Sequence, residues 1–295
     1  MRDLRFSLRP GRDAILPPSE ELSLRNAEGM AFWGEPRMLA PGGRSMVHET
    51  VPPELLEGLR RLSTCVVASA IESFGVRLPN VGFTDSSVRC MFPEFPSVAG
   101  YAVTAKIRST APPMGGAYYY WRTDWWKAIL AVPAPRIVVV EDQDNPPGLG
   151  AFVGEVHASI LRALGCVALV TNGAVRDLPE VRGCGFQLFG GNVSVSHAYA
   201  HISSFGEPVQ VGKLGIKPGE LLLGDLHGVV SIPMEVAAKV PAVAQGIIER
   251  RRHVIGLCRA ENFTIDKLDE ARKELGLMEI QERAGHSDGA KRGGS

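Results

Sequence analysis

The chain has 295 residues, and its 32 lysines and arginines are matched by 32 aspartates and glutamates. Zero net charge speaks against a nucleic acid or an anionic membrane as partner, since both select a basic excess, and 45 % hydrophobic with 22 % charged residues excludes a wholly disordered chain. The five cysteines, Cys65, Cys90, Cys166, Cys184 and Cys258, are widely spaced without a C-x-x-C pair, which excludes a disulfide framework and fits a reducing compartment.

In chain order, residues 1–50 are rich in Pro, Gly and charge, lack the apolar core of a signal peptide and read as an N-terminal extension. No later stretch reaches the roughly 18 uninterrupted apolar residues of a membrane span, so a soluble, cytoplasmic protein is expected. Residues 51–280 read as a single domain, because no repeat or low-complexity linker divides them; 281–295 read as a disordered tail. Pro52-Pro53 opens a predicted helix whose apolar positions, from Leu55 to Phe74, recur at three- and four-residue steps until Gly75. Val98–Ile107 alternates as a strand, and Ile137–Val140 is a β-branched run of the buried kind. The spacing of Phe152, Val153, Val156, Ile160 and Leu164 predicts a helix over Ala151–Leu164, followed by the strand Cys166–Val170. Short strands broken by glycines fill Phe186–Ile232, and two helices, Met234–Leu257 and Ile265–Leu275, close the chain. Arg250-Arg251-Arg252 reads as the solvated face of the first of these. The class is α/β with βαβ connectivity.

Two segments carry special chemistry: Gly148-Leu149-Gly150-Ala151-Phe152-Val153-Gly154-Glu155 and Thr171-Asn172-Gly173-Ala174-Val175-Arg176-Asp177. Both follow strands, and ligands in open α/β sheets collect at that edge. The first fits a dinucleotide fingerprint poorly, because residues 141–147, with Pro146-Pro147, are too long for the tight turn, and Asn172 stands where a ribose-binding acid belongs. A glycine-bordered helix start still offers backbone N–H groups to a carboxylate or phosphate. In the second, Asn172-Gly173 is a turn pair that presents Arg176 and Asp177 before a new helix at Leu178–Val181. A carboxylate with waters suits Mg²⁺, and a guanidinium suits an oxyanion.

These segments resemble the class II, metal-dependent 4-hydroxy-4-methyl-2-oxoglutarate and 4-carboxy-4-hydroxy-2-oxoadipate aldolases and their relatives, the regulators of ribonuclease E activity. The resemblance runs from about Leu62 to Glu249. It includes Ser63-Thr64 at a helix start, Gly100-Tyr101-Ala102-Val103-Thr104-Ala105, Gly154-Glu155, Asn172 to Asp177, Pro218-Gly219-Glu220 and Gly224 to Pro233. It implies a swivelling β/β/α sandwich, like that of phosphohistidine domains, with C-terminal helices, assembled as a homotrimer or dimer of trimers. It further implies a Mg²⁺- or Mn²⁺-dependent lyase that cleaves a 4-hydroxy-2-oxo acid to pyruvate or decarboxylates oxaloacetate. Asp177 then corresponds to the metal ligand, Arg176 to the residue polarising the oxo oxygen, and Glu155 to an acid holding metal waters. The backbone of Gly154, Val156 and His157 corresponds to the carboxylate cradle, and Glu249 of a neighbouring subunit reaches the metal through water. The alternative is a non-catalytic binding protein of the ribonuclease-regulator type.

The chain departs from the family where Asn172 replaces the aspartate of D-G-x-x-R-D, where Ala68-Ser69-Ala70-Ile71 replaces S-D-A-L, and in an aromatic insertion over 114–127. Trp125 and Trp126 suit helix packing there as well as a pocket lining. His197 and His201 would share a helix face as metal ligands do, but they lie among strand signals and lack a Glu partner. The imidazole of His157 is a further candidate for the pocket.

Overall fold

The computed structural model describes residues 49–113 and 122–275. The extension over 1–48, residues 114–121 of the aromatic insertion and the expected tail lie outside the described residues. Pro52 precedes α1 (Pro53–Arg60), as the proline pair predicts, yet the helix does not continue to Gly75. It gives way to α2 (Thr64–Ser73), because Ser63 interrupts the apolar run with a cap: its Oγ accepts the Val66 amide at 3.3 Å. Asp225 takes the Thr64 amide at 2.9 Å and the Thr64 hydroxyl at 2.6 Å, so that amide is withdrawn from any helical bond to Arg60. Gly75, at φ 65°, then supplies the left-handed residue that ends α2.

The chain continues through β1 (Arg89–Cys90), β2 (Val98–Arg108), α3 (Thr123–Ala131), β3 (Arg136–Asp142), β4 (Ala151–Val153) and α4 (Glu155–Ala163). Next come β5 (Cys166–Thr171), β6 (Ala174–Val175), α5 (Leu178–Gly183), β7 (Gln187–Gly190) and β8 (Asn192–Val193). The last part holds β9 (His201–Phe205), β10 (Val209–Val211), β11 (Leu214–Ile216), β12 (Leu221–Asp225), β13 (Gly228–Ile232), α6 (Met234–Ala237) and α7 (Val240–Arg259). A further helix covers 265–275. The helix expected over Met234–Leu257 is thus two, since Pro241 is tolerated only in a first turn and sets a new start.

The main sheet has the order β1-β7-β5-β3-β2-β12-β13, with β9 on the far part of β2. Strands β2, β3, β5 and β7 run parallel. One edge of β2 faces β3; the other is shared between β12, against Val98–Tyr101, and β9, against Ala105–Arg108. Alternation along β3 separates two cores. Val138 and Val140 face the helices with Leu59, Val67, Ile71, Trp125 and Leu161, whereas Ile137 and Val139 face the β10–β11 hairpin through Val209, Val211, Leu214 and Ile216. Burial on both faces is why β3 reads as an unbroken apolar run. The result is the β/β/α sandwich with C-terminal helices. Trp125 belongs to its helix-side core, fully buried with its ring 5.5 Å from Phe205, so packing is its role.

A second sheet of three parallel strands, β4-β6-β8, continues the first. After β3, β5 and β7 the chain crosses over 143–150, 172–173 and 191 into β4, β6 and β8 respectively. This corrects the helix expected over Ala151–Leu164: its first three residues are strand β4, and the helix begins only at Glu155. Phe152 and Val153 are buried either way, so their spacing satisfied both patterns; the partner strand β6 decided.

Candidate functional site at the ends of β4 and β6

The ends of β4 and β6 are adjacent, and each turns at once into a helix. Gly154 precedes α4; Arg176 and Asp177 precede α5. The Arg176 amide donates to the Val153 carbonyl at 3.0 Å, which continues the strand pairing up to the site. Asp177 has left-handed backbone angles, φ 54° and ψ 42°, a conformation Asp tolerates better than most residues. The consequence is that its carboxylate makes no cap bond to α5. Instead Oδ2 accepts the Glu155 amide at 3.1 Å and Oδ1 accepts Arg176 Nε at 3.0 Å. Both side chains remain about one-third exposed, 34 % for Arg176 and 32 % for Asp177.

Glycine at 154 is required by this contact. A Cβ there would collide with Asp177 Oδ2 and press on Arg176 Cγ at 3.2 Å. The first intrahelical bond of α4 runs from the Ala158 amide to the Gly154 carbonyl, so the amides of Glu155, Val156 and His157 belong to the first turn, where the helix dipole favours negative charge. Val156 is exposed and Glu155 likewise. The Arg176 terminal nitrogens make no hydrogen bond among the described residues. A guanidinium fork, a carboxylate and a helix start therefore meet at one solvent-accessible point.

The His157 ring lies elsewhere. It is buried, with Nδ1 3.1 Å from the Phe152 carbonyl and its ring edge-on to Phe152 at 4.7 Å. Burial pushes its pKa down to about 4, against a raising contribution from the Phe152 carbonyl. The imidazole is thus core, and only the backbone of His157 borders the site. Glu249 is exposed on α7, bonded by Gln245 Nε2 at 3.1 Å, and α7 packs on α1, α2 and α6; within one chain it is not among the group at Asp177. His197 lies in irregular backbone and His201 opens β9, so they share no helix face. Ser63 and Thr64 serve the start of α2, and His227, in the β12–β13 turn, bonds Asp225 Oδ1 through its amide at 2.9 Å.

Sequence reasoning missed the support beneath the site. The 143–150 crossing is built on two buried carboxylates. Asp142 Oδ2 accepts the Gly148 amide at 2.8 Å and Oδ1 the Asp144 amide at 3.1 Å. Asp144 accepts the Ser109 amide at 2.6 Å, the Ser109 hydroxyl at 2.8 Å, the Thr110 amide at 3.0 Å and the Thr110 hydroxyl at 2.9 Å. Burial raises the Asp142 pKa despite those amides. For Asp144 burial also raises it, but the bonds from Ser109 and Thr110 outweigh that and hold it below the usual range. Asn172 completes the platform: Oδ1 accepts the Asp142 amide at 2.7 Å, and Nδ2 donates to the Asp142 carbonyl at 3.0 Å. An ionised aspartate could not make both bonds, since it has no donor for the Asp142 carbonyl. The signal was the two aspartates, Asp142 and Asp144, spaced by one residue at the end of a buried strand.

Fold and site together define an α/β sandwich protein with an Arg-Asp pair held against a glycine-capped helix start. The model of the RraA-like family, described as Aldolase/RraA, matches residues 64–231, more than half of the chain, and the chain belongs to that family. A protein of Halalkalibacterium halodurans, provisionally named as a 4-hydroxy-4-methyl-2-oxoglutarate aldolase, is 30 % identical over 84 residues. Those residues are 28 % of this chain and 40 % of that protein, so the match spans less than half of the curated relative. Among solved structures, an uncharacterized protein of Pseudomonas syringae pv. tomato superposes with a TM-score of 0.60 at 20 % identity, over 77 % of this chain and 96 % of that one. RraAS2 of Streptomyces coelicolor, described as an unusual member of the RraA family of RNase ES inhibitors, gives 0.55 at 20 % identity, over 72 % and 99 %. At that identity the two structures share the fold alone. Among the described residues no helix is long and apolar enough to cross a membrane.

Proposed function

We propose that this protein is a divalent-metal-dependent lyase acting on 2-oxo acids, by retro-aldol cleavage of a 4-hydroxy-2-oxo acid to pyruvate, by decarboxylation of oxaloacetate, or by both. The observation that carries the reading is the joint hold on Asp177 by Arg176 Nε and the Glu155 amide at the start of α4.

The donor set fits a hard cation that keeps most of its water. Among the described residues no three His, Cys, Asp or Glu side chains cluster as a metal cage. Mg²⁺ commonly binds through one or two carboxylates plus waters, and Asp177 would supply the direct oxygen, with Glu155 beside it. Mn²⁺ suits the same oxygen donors. When bound, the ion would supply Lewis-acid stabilisation of negative charge on the 2-oxo group. Glu249 of a neighbouring copy, in a trimer or dimer of trimers, is the proposed further contact to its waters.

The chain's own residues account for the rest. The first-turn amides of α4, at Val156 and His157, receive the substrate carboxylate, for which the helix dipole is favourable. The free end of the Arg176 guanidinium donates to the 2-oxo oxygen. As the C3–C4 bond breaks, its electron pair moves toward that oxygen, and Arg176 stabilises the developing charge. In retro-aldol cleavage the 4-hydroxyl proton passes to water; in decarboxylation CO₂ leaves; in both, C3 of the pyruvate enolate is then protonated.

The test is pyruvate release from oxaloacetate and from 4-hydroxy-2-oxo acids, with Mg²⁺ or Mn²⁺ and with EDTA, in the wild type and Asp177→Ala. Turnover abolished by EDTA and by the substitution supports the reading. Turnover indifferent to both, or none with any such acid, overturns it in favour of a binding role of the ribonuclease-regulator kind.

A further inference from the structure

At the opposite edge of the main sheet, below the amino ends of β2, β5 and β7, lies a cavity of about 450 Å³. That is within the roughly 300–1,000 Å³ typical of small-molecule pockets. The first residues of three parallel strands border it, Val98 of β2, Cys166 of β5 and Gln187 of β7. Phe95, Pro96, Val98 and Val167 give it apolar walls. Arg60, the last residue of α1, and Arg162, in the last turn of α4, both border it. Among the described residues Arg60 has only Glu57, at 3.7 Å and half-exposed, as a counter-ion. The Arg162 side chain makes no ion pair or hydrogen bond among the described residues. Gln187, also in the lining, is already engaged: Nε2 donates to the Phe92 carbonyl at 3.0 Å, and Oε1 accepts the Leu188 amide at 2.9 Å.

An apolar pocket rimmed by two under-compensated guanidinium groups selects a ligand with an apolar body and an anionic end. We propose that this cavity binds a small carboxylic acid with an aromatic or alicyclic body, its carboxylate between Arg60 and Arg162. The site is separate from the Arg176–Asp177 pair but linked to it. Helix α4 begins at Glu155 beside Asp177 and reaches the cavity at Arg162 and Gly165, about 13 Å of helix. Helix α5 begins after Asp177, and Gly185 just beyond it also lines the cavity. A ligand there touches the far ends of the two helices whose near ends hold the candidate site.

The test uses the full chain and benzoate, cyclohexanecarboxylate and benzyl alcohol as probes, followed by amide chemical shifts and calorimetry, with no assay of turnover. The expected result is saturable binding of both acids that shifts the amides of Val167, Gly185 and Gln187, weakens with salt, and is clearly stronger than that of the uncharged alcohol. Arg162→Met, which keeps the aliphatic stem, should weaken benzoate binding about tenfold, the scale of one lost charged hydrogen bond. Asp177→Ala should leave it unchanged. Four results overturn the proposal: no saturable binding, equal affinity for the alcohol, shifts at Val156 and Arg176 instead, or affinity unaltered in both Arg60→Met and Arg162→Met. Because binding is read directly, failure here leaves the lyase proposal standing, and the reverse.

Discussion

Asp177 caps a helix that is not its own: from a left-handed backbone before α5, its Oδ2 accepts the Glu155 amide that opens α4. Asn tolerates the same backbone and keeps one acceptor oxygen, so Asp177→Asn should fold with a nearly unchanged melting temperature. Under the lyase proposal it should lose about 100-fold or more in turnover of oxaloacetate, the scale of removing one preorganised electrostatic group. Full activity in the variant would reduce Asp177 to a cap.

Gly154→Ala separates backbone freedom from space. Its φ of −136° suits alanine, so the obstacle is steric: a collision with the Asp177 carboxylate and a tight contact with Arg176 Cγ. The variant should stay folded by circular dichroism yet bind Mn²⁺ more weakly, by about 10-fold or more, the scale on which misorienting a ligand acts. Titration followed by water-proton relaxation measures it.

Asn172→Asp would put a carboxylate oxygen against the Asp142 carbonyl in place of the Nδ2 donor. Urea unfolding at neutral pH should show a loss of about 1–3 kcal/mol, the cost of a broken hydrogen bond with an unpaired acceptor. The loss should shrink in acid, where a protonated carboxyl can donate again.

Asp144 makes stability depend on pH with a defined sign. Its folded pKa is lowered, so its stabilisation is present above the unfolded value of about 4 and is lost as the pH falls through the folded value. Asp144→Asn should therefore cost about 2–3 kcal/mol at pH 7, and the gap to the wild type should narrow below about pH 4. Parallel urea titrations test this.

His157 acts in the same direction at higher pH, because its folded pKa is also lowered. The unfolded chain takes up a proton near pH 6.5, whereas the buried ring does so only at about 4. Stability should fall as the pH drops through that window, and a His157→Phe variant that folds should not show the drop. In the native protein the His157 ring resonances should stay unshifted from pH 8 to 5.

Residues whose chemistry is local were legible in the sequence. Pro52-Pro53 marks the start of α1, Gly75 its successor's end, and the turn pair Asn172-Gly173 sets Arg176 and Asp177 at a strand end. What escaped depends on distant partners. Ala151–Val153 is strand only because Ala174–Val175 lies alongside, and the apolar run from Leu55 to Phe74 is split because Asp225, 161 residues after Thr64, claims its amide. The helix expected from residue 151 would start one turn too early, since the first-turn amides begin at Glu155, just after Gly154.

The three crossings between the sheets differ in slack. At Gly191 any side chain would strike the Asn172 carbonyl, and 172–173 is spanned by a single tight turn, so neither can lengthen without unhooking β8 or β6. The 143–150 crossing hangs instead from two carboxylates and can be re-cut while those anchors remain. Remodelling of the rim, by a lineage or by an engineer, should therefore enter through that one stretch, leaving the Arg176–Asp177 floor as it stands.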